Sequence, residues 1–313
     1  MKVLVSLGGN AILKHGQKGT AEEQEMNVHN TAKHLAAILR RGERMAITHG
    51  NGPQVGNILL QNEIAKETLP PMLLDVCGAE SQGMIGYMLQ RALRSELESA
   101  GQQIPVTTIV SQTLVDPKDP AFKNPTKPVG PFYTEKEARR LQGSKGWHII
   151  SDSGRGYRRV VPSPAPLDIL EKETIIRLFE AGTVVISVGG GGVPVIRDKN
   201  GQLRGVEAVL DKDRTAALLA KILGVETLLI LTDVEKVFIN YGKPDQRALN
   251  AMTLQQCRKY LAEAQFPAGS MGPKVESAVS FLSGSSGRSV VIASLEKAEE
   301  ALKGNAGTTI MNQ

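Results

Sequence analysis

Short, densely apolar runs alternate along this chain with longer stretches in which apolar residues recur every three or four positions. Val3-Leu4-Val5 (within a strand of about 2–7), Met45-Ala46-Ile47 and Val184-Val185-Ile186 read as buried parallel strands. Ile104–Val110, Thr227–Thr232 and Ser289–Ala293 extend the set. Between them, the spacing predicts a helix over about 21–41, where Val28, Ala32, Leu35, Ala36 and Leu39 form one stripe. Further helices are predicted after Pro53, over about 77–100 with Met84, Tyr87, Met88 and Leu89 near one face, over about 168–181, from Asp211, and over about 271–283. A closing helix and a short last strand follow, and no internal repeat is visible. The alternation implies a three-layer α/β/α domain with a mostly parallel central sheet, whose ligands belong at the carboxyl ends of the strands.

From about Ser111 to Pro166 the alternation stops and Pro, Gly, Lys and Arg accumulate, in a stretch too long for an inert loop. It is read as a small protruding subdomain or lid over about 115–165, inserted in a single domain spanning 1–313.

Composition changes this picture little. The 313 residues bury a large core, and no apolar run approaches the roughly 20 residues of a membrane helix. Met1-Lys2-Val3-Leu4 has no leader-like organisation, and Cys77 and Cys257 lack metal-like spacing, so reduced thiols and a cytoplasmic location are expected. A net charge of +5 with interspersed acids and few aromatics argues against nucleic acid and for an anionic small molecule.

The candidate chemistry begins with three glycine turns at strand ends: Leu7-Gly8-Gly9-Asn10, Gly50-Asn51-Gly52-Pro53 and Gly189-Gly190-Gly191-Gly192. A glycine-rich strand end feeding a helix brings backbone N–H groups against an anion. A single such turn is ordinary, since tight turns need glycine for positive φ; three together point to a phosphate site. No G-x-x-x-x-G-K-[ST] is present, and Gly50–Gly56 misses G-x-G-x-x-G by one residue without a following ribose-binding acid.

Asp211-Lys212-Asp213 opens a helix. The acids alone fit an N-cap, but a lysine at a positive helix end fits only when an anion also binds. Gly269-Ser270-Met271-Gly272-Pro273-Lys274 places another lysine at a helix start, beside a nucleotide's phosphates in this reading. In Asn124–Tyr133, Pro125, Pro128 and Pro131 stiffen the chain around Lys127. Gly154-Arg155-Gly156-Tyr157-Arg158-Arg159 reads as a basic hairpin paired with nearby acids, with a nucleic-acid patch as the lesser alternative. Of the five histidines only His49, beside Gly50, stands near these motifs. Lys127, Lys212 and Lys274 with the turn amides suit phosphoryl transfer, where positioned positive charge does most of the catalysis. The scarcity of general bases implies a nucleophile that is already an anion.

At these residues the chain closely resembles, end to end, the carbamate kinases of the amino-acid kinase superfamily. The resemblance rests on Leu7–Ala11, Thr48–Gly56, Ser81–Tyr87, Asp119–Phe122, Asn124–Tyr133, Gly154–Pro164, Gly189–Pro194, Glu207–Asp213, Leu231–Asp233 and Gly269–Lys274. It implies reversible transfer between ATP and carbamate, giving ADP and carbamoyl phosphate, run toward ATP in arginine catabolism, with Mg²⁺. By the same resemblance Gly8, Gly9, Asn10, Gly50, Asn51 and Gly52 surround carbamate and the transferred phosphate, where the turn at Gly189 and Gly190 also belongs. Lys212 and Lys274 hold phosphates, Asp213 orients the lysines, and Lys127 reaches over from the insertion. Thr232, Asp233, Tyr241 and Met271 lie near the nucleotide, as do Ser270 and Gly272 of their motif. The metal ligands are left open. The resemblance also implies a homodimer, with the helix after Cys77 in its interface. Ser6 stands where related acid kinases carry a lysine before the first glycine turn, a charge that Lys127 is expected to replace. Two departures from the family pattern are Glu263-Ala264-Gln265-Phe266, in place of Glu-Gly-His-Phe, and Ser151-Asp152-Ser153. The alternatives are a kinase of another small carboxylate-like anion and a nucleotide-binding regulatory protein without turnover.

Overall fold

Alternate residues of the strand Lys2–Leu7 feed opposite apolar layers, Leu4 into one and Val3, Val5 and Leu7 into the other. The strand lies inside a sheet covered on both faces, the arrangement that a parallel sheet requires. The computed structural model describes residues 1–14, 16–151, 156–267 and 269–312. Across the sheet the strands run Ala251–Thr253, Thr308–Met311, Ser289–Ser294, Thr227–Thr232, Lys2–Leu7, Arg44–His49, Val184–Ile186 and Val106–Thr108. All these pairings are parallel except that of Thr308–Met311 with Ser289–Ser294.

One face is covered by helices Lys172–Glu180, Lys212–Ile222, Leu254–Ala262 and Met271–Leu282, which contribute Phe179, Ala216, Cys257 and Phe281 to its core. The other is covered by Ala21–Leu39, Leu74–Ser99 and Ala298–Leu302, through Val28, Leu35, Ile85, Leu93 and Ala301. Thr20 starts the first of these with a reciprocal cap, accepting from the Glu23 amide while Glu23 accepts from its own. Three α/β/α layers result, as the periodicity predicts. No helix among the described residues is long and apolar enough to cross a membrane.

The stretch that breaks the alternation divides between two smaller sheets. Gln112–Val115 and Pro166–Ile169 pair antiparallel within a four-stranded sheet completed by Val193–Arg197 and Leu203–Gly205. Lys127–Tyr133, Tyr157–Val161 and Ile149–Ser151 form a three-stranded sheet with helix Glu135–Lys145. Val129 and Val161 of this small sheet pack with Val55, Leu74 and Cys77 of the body. Ion pairs Lys145–Glu63 (2.5 Å) and Arg159–Glu207 (2.6 Å) tie its edge down.

Several expectations are corrected. The helix predicted over about 168–181 is Lys172–Glu180, because Pro166–Ile169 is drawn into a strand by its pairing with Gln112–Val115. Of the three glycine turns only Gly50–Pro53 feeds an α-helix, Gly52–Ala65. Gly8–Asn10 leads into a single 3₁₀ turn, and Gly189–Gly192 leads into the strand Val193–Arg197. The residues grouped on one face of the long helix separate: Leu89 is buried in the core, whereas Met84 and Tyr87 are exposed. Ala264, where the resemblance has glycine, adopts φ +52°, a left-handed conformation costing a side-chain-bearing residue about 1–2 kcal/mol. Gln265, in place of histidine, accepts the Asn240 amide at 2.9 Å. His15, Asp152, Ser153, Gly154 and Arg155 lie outside the described residues.

Candidate active site

Asp211 ends an extended segment and caps helix Lys212–Ile222, its carboxylate accepting from the amides of Asp213 (3.0 Å) and Arg214 (3.3 Å). The cap turns the next two side chains toward the end of the Lys2–Leu7 strand. Lys212 Nζ donates to Asp213 Oδ1 at 2.5 Å and to Ser6 Oγ at 2.9 Å, and Ser6 donates to Asp213 Oδ1 at 3.1 Å. Lys274, one turn into helix Met271–Leu282, reaches Asp213 Oδ2 at 3.3 Å. One buried carboxylate thus gathers two lysines from two helices and a serine from the central strand.

The charges of this cluster are coupled. Burial pushes the Asp213 carboxyl up, but Lys212 and Lys274 outweigh it and hold the group well below the usual carboxylate range. Burial pushes the Lys212 ammonium down; Asp213 opposes that, while Lys274 adds to it. Both directions have one physical meaning: two ammoniums share one carboxylate out of water, leaving an excess positive charge suited to an anion.

A cleft of about 930 Å³ opens over this cluster, lined also by Gly9, Gly50, Asn51, Gly52, Gly190 and Lys127. Lys127 arrives from the small sheet and donates to Asp211 Oδ2 at 2.9 Å. The ammonium at Ser6 is therefore that of Lys212, and Lys127, expected to replace the charge missing there, is paired elsewhere. Continuous with this cleft through Ser270 and Lys274 is a hollow of about 630 Å³ whose walls include Thr232, Asp233, Phe238, Tyr241, Phe266 and Met271. Its apolar walls beside Lys274 suit a nucleotide's ring next to its phosphates.

The glycine candidates divide between these spaces and their surroundings. Gly8 and Asn10 line a further hollow of about 810 Å³, which shares Thr232 and Asp233 with the apolar one. The amides of Gly8 and Gly50 are already bonded to the carbonyls of Leu231 (2.9 Å) and Leu7 (3.0 Å), so these N–H groups continue the sheet and are not aimed at a ligand. Gly9 and Gly52, first residues of their turn and helix, have no acceptor within it. Gly272 is buried, and its amide donates to the Pro267 carbonyl at 3.0 Å. Gly189 is buried for a packing reason: a Cβ there would lie 2.4 Å from the His49 ring. His49 itself is buried, its Nδ1 3.0 Å from the Gly50 carbonyl, and burial lowers its pKa to about 4. It is neutral at physiological pH and serves as a packing group.

Three side chains that the fold brings beside the cleft, Ser6, Ser81 and Gln82, are assigned no contact from the sequence. Ser6 was signalled by a lone hydroxyl inside a buried apolar strand. Ser81 accepts from Asn51 Nδ2 at 2.8 Å. Gln82 clamps the Ser111 amide (3.0 Å) and carbonyl (3.1 Å), and Ser111 Oγ accepts from the amide of Val188, a β-branched residue at φ +47°. In the basic motif, Arg159 is buried, stacked on Trp147 at 4.3 Å and paired with Glu207, as a structural hairpin requires. No group of three or more His, Cys, Asp or Glu suited to a metal occurs among the described residues.

Residues 1–294 match the model of the amino acid kinase family. The carbamate kinase of Pyrococcus horikoshii is 51% identical over 311 residues, covering 99% of this chain and 98% of that protein. The carbamate kinase of Clostridium perfringens is 47% identical over 314 residues, covering 99% and 100%. Among solved structures, carbamate kinase from Giardia lamblia bound to AMP-PNP superposes with a TM-score of 0.93 at 46% identity, covering 99% of this chain and 98% of that one. With this fold, and with that likeness running nearly end to end, the chain is a phosphotransferase that belongs to the amino acid kinase family, within its carbamate kinase branch.

Proposed function

We propose that the protein transfers a phosphoryl group reversibly between MgATP and carbamate, forming MgADP and carbamoyl phosphate. The observation that carries this reading is the Lys212–Asp213–Lys274 cluster at the floor of a cleft between two glycine turns. In the kinase direction a carbamate oxygen forms a bond to the γ-phosphorus, and the bond from that phosphorus to the β,γ-bridging oxygen breaks, with its electron pair leaving on ADP. No proton is transferred. This accords with a site whose histidine is neutral and whose Asp213 is held by two lysines.

Lys212 and Lys274 sit where charge gathers on the γ-phosphoryl and leaving oxygens, and a well-placed donor of this kind contributes about 10²–10³ in rate. Asp213 acts through them as a positioning residue. Lys127 adds charge from above, and the small sheet serves as the lid that keeps water from the labile acyl phosphate. The nucleotide occupies the hollow by Tyr241 and Met271, supported by the AMP-PNP held by the Giardia lamblia relative. Mg²⁺ enters as part of the nucleotide substrate, coordinated largely by phosphate oxygens and water.

Carbamoyl phosphate is a high-energy acyl phosphate, which supports a reading in which the reaction runs toward ATP. We place the enzyme in the cytoplasm, running toward ATP at the end of arginine catabolism. Assembly as a homodimer is supported by the exposed apolar side chains Val76, Met84 and Tyr87 along one side of the Leu74–Ser99 helix. The deciding experiment is ATP formation from carbamoyl phosphate and MgADP. Rapid turnover is expected; nucleotide binding without ATP formation would sink the carbamate assignment.

A further inference from the structure

We infer that Ser81 fixes the side-chain amide of Asn51 in one of its two possible orientations, and so makes the acceptor pocket select a carbamoyl group over an acetyl group. The inference rests on the acceptor-site reading proposed for Asn51.

Ser81 lies on the Leu74–Ser99 helix, completely buried. Its hydroxyl proton is committed, because Oγ is 2.7 Å from the Gly78 carbonyl, which can only accept. What Ser81 has left for Asn51, 2.8 Å away, is a lone pair. Asn51 must therefore present Nδ2, since the reversed amide would set Oδ1 against that lone pair with no proton between them. Gly190 holds the amide plane from the other side. A Cβ at Gly190, whose φ is +64°, would lie 2.2 Å from Asn51 Nδ2 and 2.3 Å from Oδ1. The amide is thus confined between a glycine backbone and a hydroxyl of settled polarity.

Apart from the bond to Ser81, the Asn51 amide makes no hydrogen bond among the described residues, and Asn51 lines the cleft over Lys212. With the orientation fixed, Oδ1 and the second Nδ2–H remain for a ligand as an acceptor beside a donor. A carbamoyl group carries the complementary pair, an N–H beside an oxygen. An acetyl group offers a methyl in place of the N–H and leaves Oδ1 without its partner. Fixing the amide polarity thereby turns a size-matched pocket into one that reads the amino group.

The test compares carbamoyl phosphate with acetyl phosphate in ATP formation from MgADP, with acetyl phosphate measured as a competitive inhibitor where it does not turn over. Ser81→Ala is expected to lower kcat/KM for carbamoyl phosphate about tenfold to a hundredfold. Acetyl phosphate should change less than about threefold and KM for MgADP should stay constant, so the preference collapses. Ser81→Thr, which keeps the hydroxyl, is expected to retain the preference. Ser81→Cys, of similar size but a weak acceptor, carries the same comparison where the alanine variant does not fold. Equal losses for both acyl phosphates would assign Ser81 to packing alone, and no loss would make the bond idle; either overturns the inference and leaves the carbamate reading standing. A native enzyme that does not use carbamoyl phosphate overturns both.

Discussion

The lysines of the body and the lysine of the small sheet reach the same cleft by different physical routes. Lys212 and Lys274 have side chains only 14% and 13% exposed, and they share a carboxylate that is 4% exposed. Folding the two helices onto the central strand fixes these charges before any ligand arrives. Lys127 is 35% exposed and pairs with Asp211, which already caps a helix. Its position depends on docking of a small sheet held by a few apolar contacts and rim ion pairs. The contrast teaches that one cleft can hold two of its charges in the core of the fold and take a third from a separately docked element.

The comparison breaks most visibly at Asp213. Asp213→Ala leaves two buried ammoniums without their acid, and denaturant unfolding is expected to register a loss of about 3–5 kcal/mol together with abolished turnover. A loss under 1 kcal/mol would mean that the body lysines are not preorganised by this carboxylate. Next in size, Lys212→Ala and Lys274→Ala should each lower kcat by about 10²–10³ with near-native melting, and Lys127→Ala should lower it by about tenfold. Equal losses for all three would erase the distinction between body and small sheet.

His49 probes the body alone. Its pKa falls from an ordinary 6.5 to about 4 on folding, so the unfolded chain takes up its proton first as the pH drops. The stability gained by keeping the ring neutral is fully present above about pH 6.5 and is lost progressively toward pH 4, amounting to about 3 kcal/mol. Urea titrations across that window should reveal this slope in the native protein and a flatter one in His49→Asn.

The smallest effect is expected at the docking rim. Burial pushes the Glu63 carboxyl up, but Lys145 and Lys66 together outweigh it and hold the group below its ordinary range. Glu63→Gln should cost no more than about 1 kcal/mol of stability. It should also remove part of the salt dependence of kcat, an effect that belongs to the small sheet and not to the body. An unchanged salt response would show that this rim pair does not govern docking.

What the chain determined locally was legible from its residues. The buried runs Val3–Val5, Met45–Ile47 and Val184–Ile186, with helical stripes between them, dictate a covered parallel sheet, because each pattern buries its apolar atoms in only one way. Lys212 stood out because a cation at a helix start contradicts the helix dipole unless an anion joins it, and Lys274 because its glycine motif opens another helix. Tertiary structure alone decided what depends on a distant partner. Pro166–Ile169 became a strand because Gln112–Val115 offered it a ladder, and the amides of Gly8 and Gly50 went to carbonyls of neighbouring strands. Ser6 met Lys212 across 206 positions, and Asn51 met Ser81 across 30. A sequence specifies the donors and acceptors it carries, but a hydrogen bond requires close approach and near-linear geometry, so only the folded chain selects which of them pair.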